Sequence, residues 1–236
     1  MKQFGLFFFI FLQITSIYTS NLITPFTCLP WDTPCLSALA QKLSTPRIFD
    51  LNALKIDPFE IDHFKLEKDG LEFETKDTKV HGLKNMIVEE FRTDANTSTA
   101  YIKIRTDVIV TGLYKADGSL FYMPLNSEGD YWTSLRNLVI NVEAPYKIVR
   151  SANGEPLLET SDYKLSYDVK DGAEFRLNSY NYGIPGFSEL LNQLINYNWK
   201  YISSNFITEF VSNAVENIAK THKSYFRISP FEFLVQ

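Results

Sequence analysis

Cys28 and Cys35 are the chain's only cysteines, separated by six residues in "TCLPWDTPC". The spacing leaves three chemistries open: a disulfide, a redox pair or part of a metal site. A redox pair usually has C-x-x-C spacing, and this is C-x6-C. A metal needs more ligands, and His63, His81 and His222 are far apart with no ligand spacing. Other reactive groups are equally isolated. "GFSEL" at Gly186 lacks the second glycine of a G-x-S-x-G elbow. There is no H-E-x-x-H, P-loop, G-x-G-x-x-G or EF-hand loop. His63 in "EIDHFKL" has Glu60 and Asp62 beside it and reads as a strand residue rather than a general base. These patterns propose no catalytic residue, no metal and no cofactor, so no enzyme is expected.

The compartment bears on the cysteines. The chain opens "MKQFGLFFFIFLQITSIYTS". Lys2 and the amino terminus precede an uncharged run from Phe4 to Leu12, and Ser16, Thr19 and Ser20 supply small residues for cleavage. This is the layout of a secretory signal peptide over residues 1–20. Gln13 ends the run well short of the ~20 apolar residues of a spanning helix, and no later stretch reads as one. The expectation is a secreted, extracellular protein without stable membrane insertion. Disulfides persist there, so Cys28 and Cys35 are read as one short disulfide, stabilising by about 2.5 kcal/mol in the chain-entropy model. Asn96 opens the glycosylation sequon "NTS".

The chain has 236 residues and a hydrophobic fraction of 45%, so residues 21–236 can bury a substantial core as a single domain. Without Lys2, 22 basic residues face 28 acidic ones, a net charge of about −6. No basic cluster is present to neutralise phosphates, so no nucleic-acid partner is expected and an anionic membrane surface is disfavoured.

The elements that must position any site follow from periodicity. "CLSALAQKL" (35–43) places Leu36, Leu39, Ala40 and Leu43 on one side of a short helix, which Pro46 stops or follows. From about 59 to 180 the period is two. Ile102, Ile104, Thr106, Val108, Val110 and Gly112 alternate with Lys103, Arg105 and Asp107. Asp69-Gly70, Asp117-Gly118, Asn153-Gly154 and Asp171-Gly172 punctuate an antiparallel meander of long, curved strands. After Gly186, helical spacing returns without proline or glycine through "GFSELLNQLINYNWKYISSNFITEFVSNAVENIAKTH". About 36 residues would span roughly 50 Å, and only the meander is long enough to cover such a helix. The fold class is α+β: a long curved antiparallel sheet wrapped around one long C-terminal helix, with a short N-terminal helix.

Local phrases in this order resemble the insect juvenile-hormone-binding and takeout family. "CLSALAQKL" is similar to its cysteine-plus-first-helix entry, and "LNALKIDPFEI" to the stretch leading into its sheet. "VHGLKN" (80–85) is similar to a strand ending in a Gly-Leu turn, and "LLNQLINYNWKYI" (190–202) to its helix phrase. The resemblance spans the mature chain. It implies an elongated tubular lipid-binding roll around an apolar tunnel. It also implies carriage of juvenile hormone or fatty-acyl-like molecules through fluid, in feeding, circadian and chemosensory physiology. The hormone carriers of moths have additional cysteines. This chain has only the first pair, which places it nearer the takeout side, and its ending "YFRISPFEFLVQ" is its own.

The implied tunnel wall takes Leu39 and Leu43 from the first helix. Phe91, Ile104, Val108, Ile140 and Phe175 come from the sheet, and Leu191, Leu194, Trp199 and Phe206 from the long helix. Each also reads as plain core. Tyr122, in "SLFYMPL", is the expected polar anchor. The disulfide is expected to pin the chain entry to the first helix, gating one end of the tunnel. The leading expectation is a carrier of a small lipophilic ligand. A protein-interaction module acting through a receptor and an ester hydrolase are the alternatives.

Overall fold

The computed structural model describes residues 28–29, 31–43, 57–150, 156–160, 163–179 and 186–221. The expected signal peptide, Pro46, Asn153-Gly154 and His222 lie outside the described residues. Helix α1 runs Thr33–Leu43. Asp32 caps it, its Oδ1 accepting the Cys35 N–H at 3.0 Å. Cys28 and Cys35 form a disulfide with Cα atoms 5.6 Å apart. The bond ties the chain just before α1 to its first turn.

Eight strands follow: β1 (Phe59–Lys68), β2 (Leu71–His81), β3 (Ile87–Asp94), β4 (Thr99–Leu120), β5 (Met123–Arg150), β6 (Pro156–Thr160), β7 (Lys164–Val169) and β8 (Ala173–Ser179). β4 and β5 are the spine of an open antiparallel sheet. They close through Phe121 and Tyr122, whose φ angles of 51° and 62° suit a two-residue hairpin turn. Asp117-Gly118 was the expected turn and is not one. The β4–β5 ladder runs on past it to Leu120 and Met123. Asp69-Gly70 and Asp171-Gly172 do lie at turns, between β1 and β2 and between β7 and β8.

The spine carries two lobes. Beside the second half of β4 lies β2, with β1 beyond it, and beside its first half lies β3. Across β5, β8 pairs with residues 129–135, β7 with 138–143 and β6 with 146–150. The lobes meet where the β4–β5 ladder shifts register between Thr106 and Val108. At this waist Asp107 Oδ1 accepts the Asn137 N–H at 2.6 Å. Two phrases far apart in sequence also converge here. The Asp57 carboxylate, only 4% exposed, accepts the N–H groups of Gly82 (3.2 Å) and Lys84 (2.9 Å). Gly82 has φ 104°, and a Cβ there would lie 2.1 Å from the Asp107 carbonyl oxygen. Only glycine permits that approach.

An open sheet leaves unpaired backbone groups along its edge strands, and helix side chains meet those of β3 and β8. On the outer edge of β3, α1 presents Ser37 and Gln41, one turn apart. Ser37 Oγ accepts the Phe91 N–H (2.9 Å). Gln41 accepts from the Val88 N–H (2.6 Å) and donates to the Met86 carbonyl (3.2 Å). On the outer edge of β8, helix α2 (Phe187–Tyr197) repeats the device. Ser188 Oγ accepts the Ser179 N–H (3.3 Å). Asn192 accepts from the Leu177 N–H (2.8 Å) and donates to its carbonyl (3.1 Å). Asn196 does the same at Phe175 (2.8 and 2.7 Å).

The helical run continues to residue 221, but not as one uninterrupted α-helix, which corrects the expectation. Asn198 departs to φ −101°, ψ 27°, and its side chain donates to the Leu194 carbonyl (2.9 Å). After α3 (Trp199–Ile202), residues Ser203–Ile207 form a π-turn before α4 (Thr208–Thr221). The sheet holds this turn. Tyr167 of β7 donates its phenol proton to the Ser203 carbonyl, and Lys68 of β1 donates to the Asn205 carbonyl (2.8 Å). α4 then packs on β1, with Phe210 edge-on to Phe64 at 5.5 Å between ring centres.

Candidate ligand-binding cavity

Between the helical run and the lobe built from β1, β2, β4, β5 and β8 lies an apolar cavity. Its volume is about 110 Å³. Strand alternation builds the wall: Phe64 and Leu66 from β1, then Leu71, Phe73 and Thr75 from β2. β4 gives Val110 and Leu120, and β5 gives Leu125, Tyr131, Thr133 and Leu135. Phe175 and Leu177 come from β8. The roof is Ile195, Ile202, Phe206, Ile207 and Phe210. No lining residue is charged, and three carry polar side chains: Thr75, Tyr131 and Thr133.

The polar spot has a defined structure. Tyr131 stands on β5 and Thr78 on β2, with β4 between them. The phenol reaches across because Gly112 of β4 has no side chain. A Cβ there would lie 3.0 Å from the Tyr131 ring. Tyr131 OH and Thr78 Oγ1 meet at 2.7 Å, and both residues are buried. Burial pushes the Tyr131 phenol up to about 12, with Thr78 and then Thr75 opposing the shift. Folding therefore holds this phenol neutral. Its contribution is complete below pH ~10 and is lost as pH rises through about 12, on the order of 2–3 kcal/mol. Burial moves Tyr114 and Tyr167 the same way. Denaturant unfolding should show stability falling between pH 10 and 12, and Tyr131→Phe should flatten that decline. An unchanged slope in the variant would assign the loss to other groups.

Among the described residues, no cluster of three His, Cys, Asp or Glu is placed to hold a metal. His63 lies on the exposed face of β1, 2.9 Å from Glu74. Like the pairs of Glu89 with Lys103 and Arg105, this is surface charge that contributes little to stability.

Comparison with known proteins agrees with this geometry. The profile of the haemolymph juvenile hormone binding protein family matches residues 36–236. The chain belongs to this family. Takeout 1 of Epiphyas postvittana has the same fold, with a TM-score of 0.80 at 25% identity over 89% of this chain and 98% of that one. Lipopolysaccharide binding protein is a faint likeness, with a TM-score of 0.39 and 15% identity over 75% of this chain and 36% of that one. No curated protein matches in sequence. Proteins of the juvenile-hormone-binding and takeout family bind small hydrophobic molecules and are not known as enzymes. No helix among the described residues is long and apolar enough to cross a membrane.

The residues expected to form this family member's tunnel wall separate into groups. Phe175 and Phe206 line the cavity. Phe91, Ile104, Val108, Ile140 and Leu191 are buried in the core but are not among its lining residues. Leu39 and Trp199 are half-buried and pack on that core, and Leu194 is half-buried. The Leu43 side chain lies outside what is described. Tyr122 is corrected: it is fully exposed at the tip of the β4–β5 hairpin, because it occupies the turn rather than a strand. The gating expectation is corrected too. α1 packs on β3, and no residue of α1 is among those lining the cavity. Thr75, Tyr131 and Thr133 were not among the expected wall residues, because an apolar tunnel draws the choice to apolar side chains. Their clue was the period: Leu71, Phe73 and Thr75 alternate in step, as do Tyr131, Thr133 and Leu135.

Proposed function

We propose that this chain is a secreted carrier that takes up a small hydrophobic molecule, a terpenoid or a fatty-acyl compound, and moves it through extracellular fluid. The observation that carries this reading is the uncharged apolar cavity between the sheet and the helical run. A ligand burying ~350 Å² of apolar surface there gains roughly 9 kcal/mol at 25 cal/mol/Å². Ordering costs several kcal/mol of that, leaving micromolar to nanomolar affinity. In this reading residues 1–20 are a signal peptide, residues 21–236 are one domain, and the Cys28–Cys35 disulfide belongs to an oxidising compartment. Asn96 is exposed in the β3–β4 turn, where a glycan would meet no obstruction.

The test is mass spectrometry of organic extracts from the protein purified from its native fluid. A stoichiometric lipophilic molecule is the expected result. A protein that arrives empty, and then binds neither juvenile hormone analogues nor fatty acids, would end the carrier reading.

A further inference from the structure

The far end of the β4–β5 hairpin is held differently from the rest of the sheet. The β2 ladder on β4 runs as far as Gly118, opposite Leu71, and the β8 ladder on β5 as far as Gly129. Ser119 still donates its N–H to the Gly70 carbonyl (3.0 Å). Past it, among the described residues, no third strand pairs with the tip. Gly118 takes φ 118°, and a Cβ there would lie 2.1 Å from the Gly70 carbonyl oxygen. A glycine inside a strand marks a bend or a close backbone approach, and this one serves both. The Asp117-Gly118 pair, which is no turn, is thus the point where the tip leaves the sheet.

The tip is directed at the helical run. Phe121 and Tyr122, at φ 51° and 62°, occupy turn positions that favour Asn and Gly. Bulky side chains hold that backbone under strain. The strained turn delivers the Phe121 ring onto Tyr201 of α3, 5.4 Å between ring centres, and Tyr201 in turn meets Phe206 at 6.2 Å. Phe121 and Tyr201 are not among the residues lining the cavity, but Phe206 is, with Leu71, Leu120 and Leu125 around the base of the tip. The Tyr201 phenol also donates to Asp69 Oδ2 in the β1–β2 turn (3.3 Å). Hairpin tip, β1–β2 turn and α3 therefore meet at one end of the cavity through side chains. Tyr201, at their centre, is 41% exposed. Elements joined by few buried contacts are the ones that open locally. The π-turn at Ser203–Ile207, a form frequent at functional sites, follows directly.

Resting on the carrier reading, we propose that the β4–β5 hairpin tip is the lid past which the ligand enters and leaves. The lid swings on Gly118, and the Phe121–Tyr201 ring contact is its latch. A latch outside the wall sets rates, whereas the wall sets affinity.

The experiment follows uptake and release of N-phenylnaphthylamine, a neutral fluorescent lipophile, by stopped flow. Phe121→Ala should raise the association and dissociation rates together by about fivefold, equal to about 1 kcal/mol for one aromatic pair. Kd should stay within a factor of about two, and Phe121→Tyr should keep the parent's rates. A second variant locks the lid. Phe121→Cys with Tyr201→Cys adds two thiols to a chain whose only other cysteines are joined to each other. Bridging them with a short bifunctional thiol reagent should slow uptake at least tenfold when the probe is added afterwards. It should slow release as much when the probe is bound first. Melting temperatures confirm the fold of each variant. If the bridged protein exchanges probe as fast as the unbridged one, the lid is overturned and the carrier reading stands. Dissociation that rises alone in Phe121→Ala, weakening Kd to match, would make Phe121 part of the wall and also overturn the latch. If the parent chain binds no probe, both readings fall.

Discussion

Replacing Asn192 and Asn196 together by alanine should lower the melting temperature by about 6–12 °C. The pair makes four hydrogen bonds to the backbone of β8 at Leu177 and Phe175. At about 1 kcal/mol each, some of it recovered by water, the loss is about 3 kcal/mol. For a domain of this size 1 kcal/mol shifts the melting temperature by ~2–4 °C. Calorimetry checks it. The two amides also fix the height of α2 above β8, where Phe175, Leu177 and Ile195 meet in the cavity wall. Ligand binding should therefore weaken in the same variant at temperatures where it is still folded. A melting temperature within about 1 °C of the parent would mean that water covers this edge as well as the amides do.

Thr133→Trp should reduce affinity for any lipophilic probe at least ~100-fold, equal to about 2.7 kcal/mol. Thr133 lies between Tyr131 and Leu135 on the inward face of β5 and is 6% exposed. An indole there has only the cavity to enter. Overpacking a filled core costs about 1–3 kcal/mol, whereas an indole that enters free space avoids most of that. The expected pattern is lost binding with retained stability, read by probe displacement and thermal melting. Thr133→Val, which keeps shape and removes only the hydroxyl, should bind as the parent does. A destabilised Trp variant that still binds would place the ligand elsewhere.

Much of the architecture was legible because it rests on period. The inward run Ile102, Ile104, Thr106, Val108 and Val110 is the buried face of β4, and the apolar positions after Gly186 do lie on a helical run. What period cannot show is where a ladder continues through a turn-forming pair. Asp117-Gly118 has turn chemistry, yet the spine absorbs it because β2 and β5 pair on both sides. The site was less legible for a related reason. A strand-wide apolar face does not say which part of it faces a void, and Phe91 and Phe175 look alike in sequence. The void lies where the helical run stands off the sheet. That separation depends on Asn192, Asn196 and the Tyr167 contact, which join residues distant in the chain. The waist shows the opposite case. Asp57 and Gly82 were noticed only as parts of resembling phrases, and the structure gives the physical link, a carboxylate capping a turn that glycine alone can make.

The polar rungs on β3 and β8 also decide how this molecule behaves in company. A bare strand edge is a template: any extended peptide, or a second copy of the chain, can zip onto its row of donors and acceptors. Here those rows are occupied by amides and hydroxyls at one-turn intervals on helices of the same chain. A competing strand must first displace Ser37 and Gln41 on one edge, or Ser188, Asn192 and Asn196 on the other. At these two strands an added peptide or a second copy therefore meets an occupied row rather than a free one.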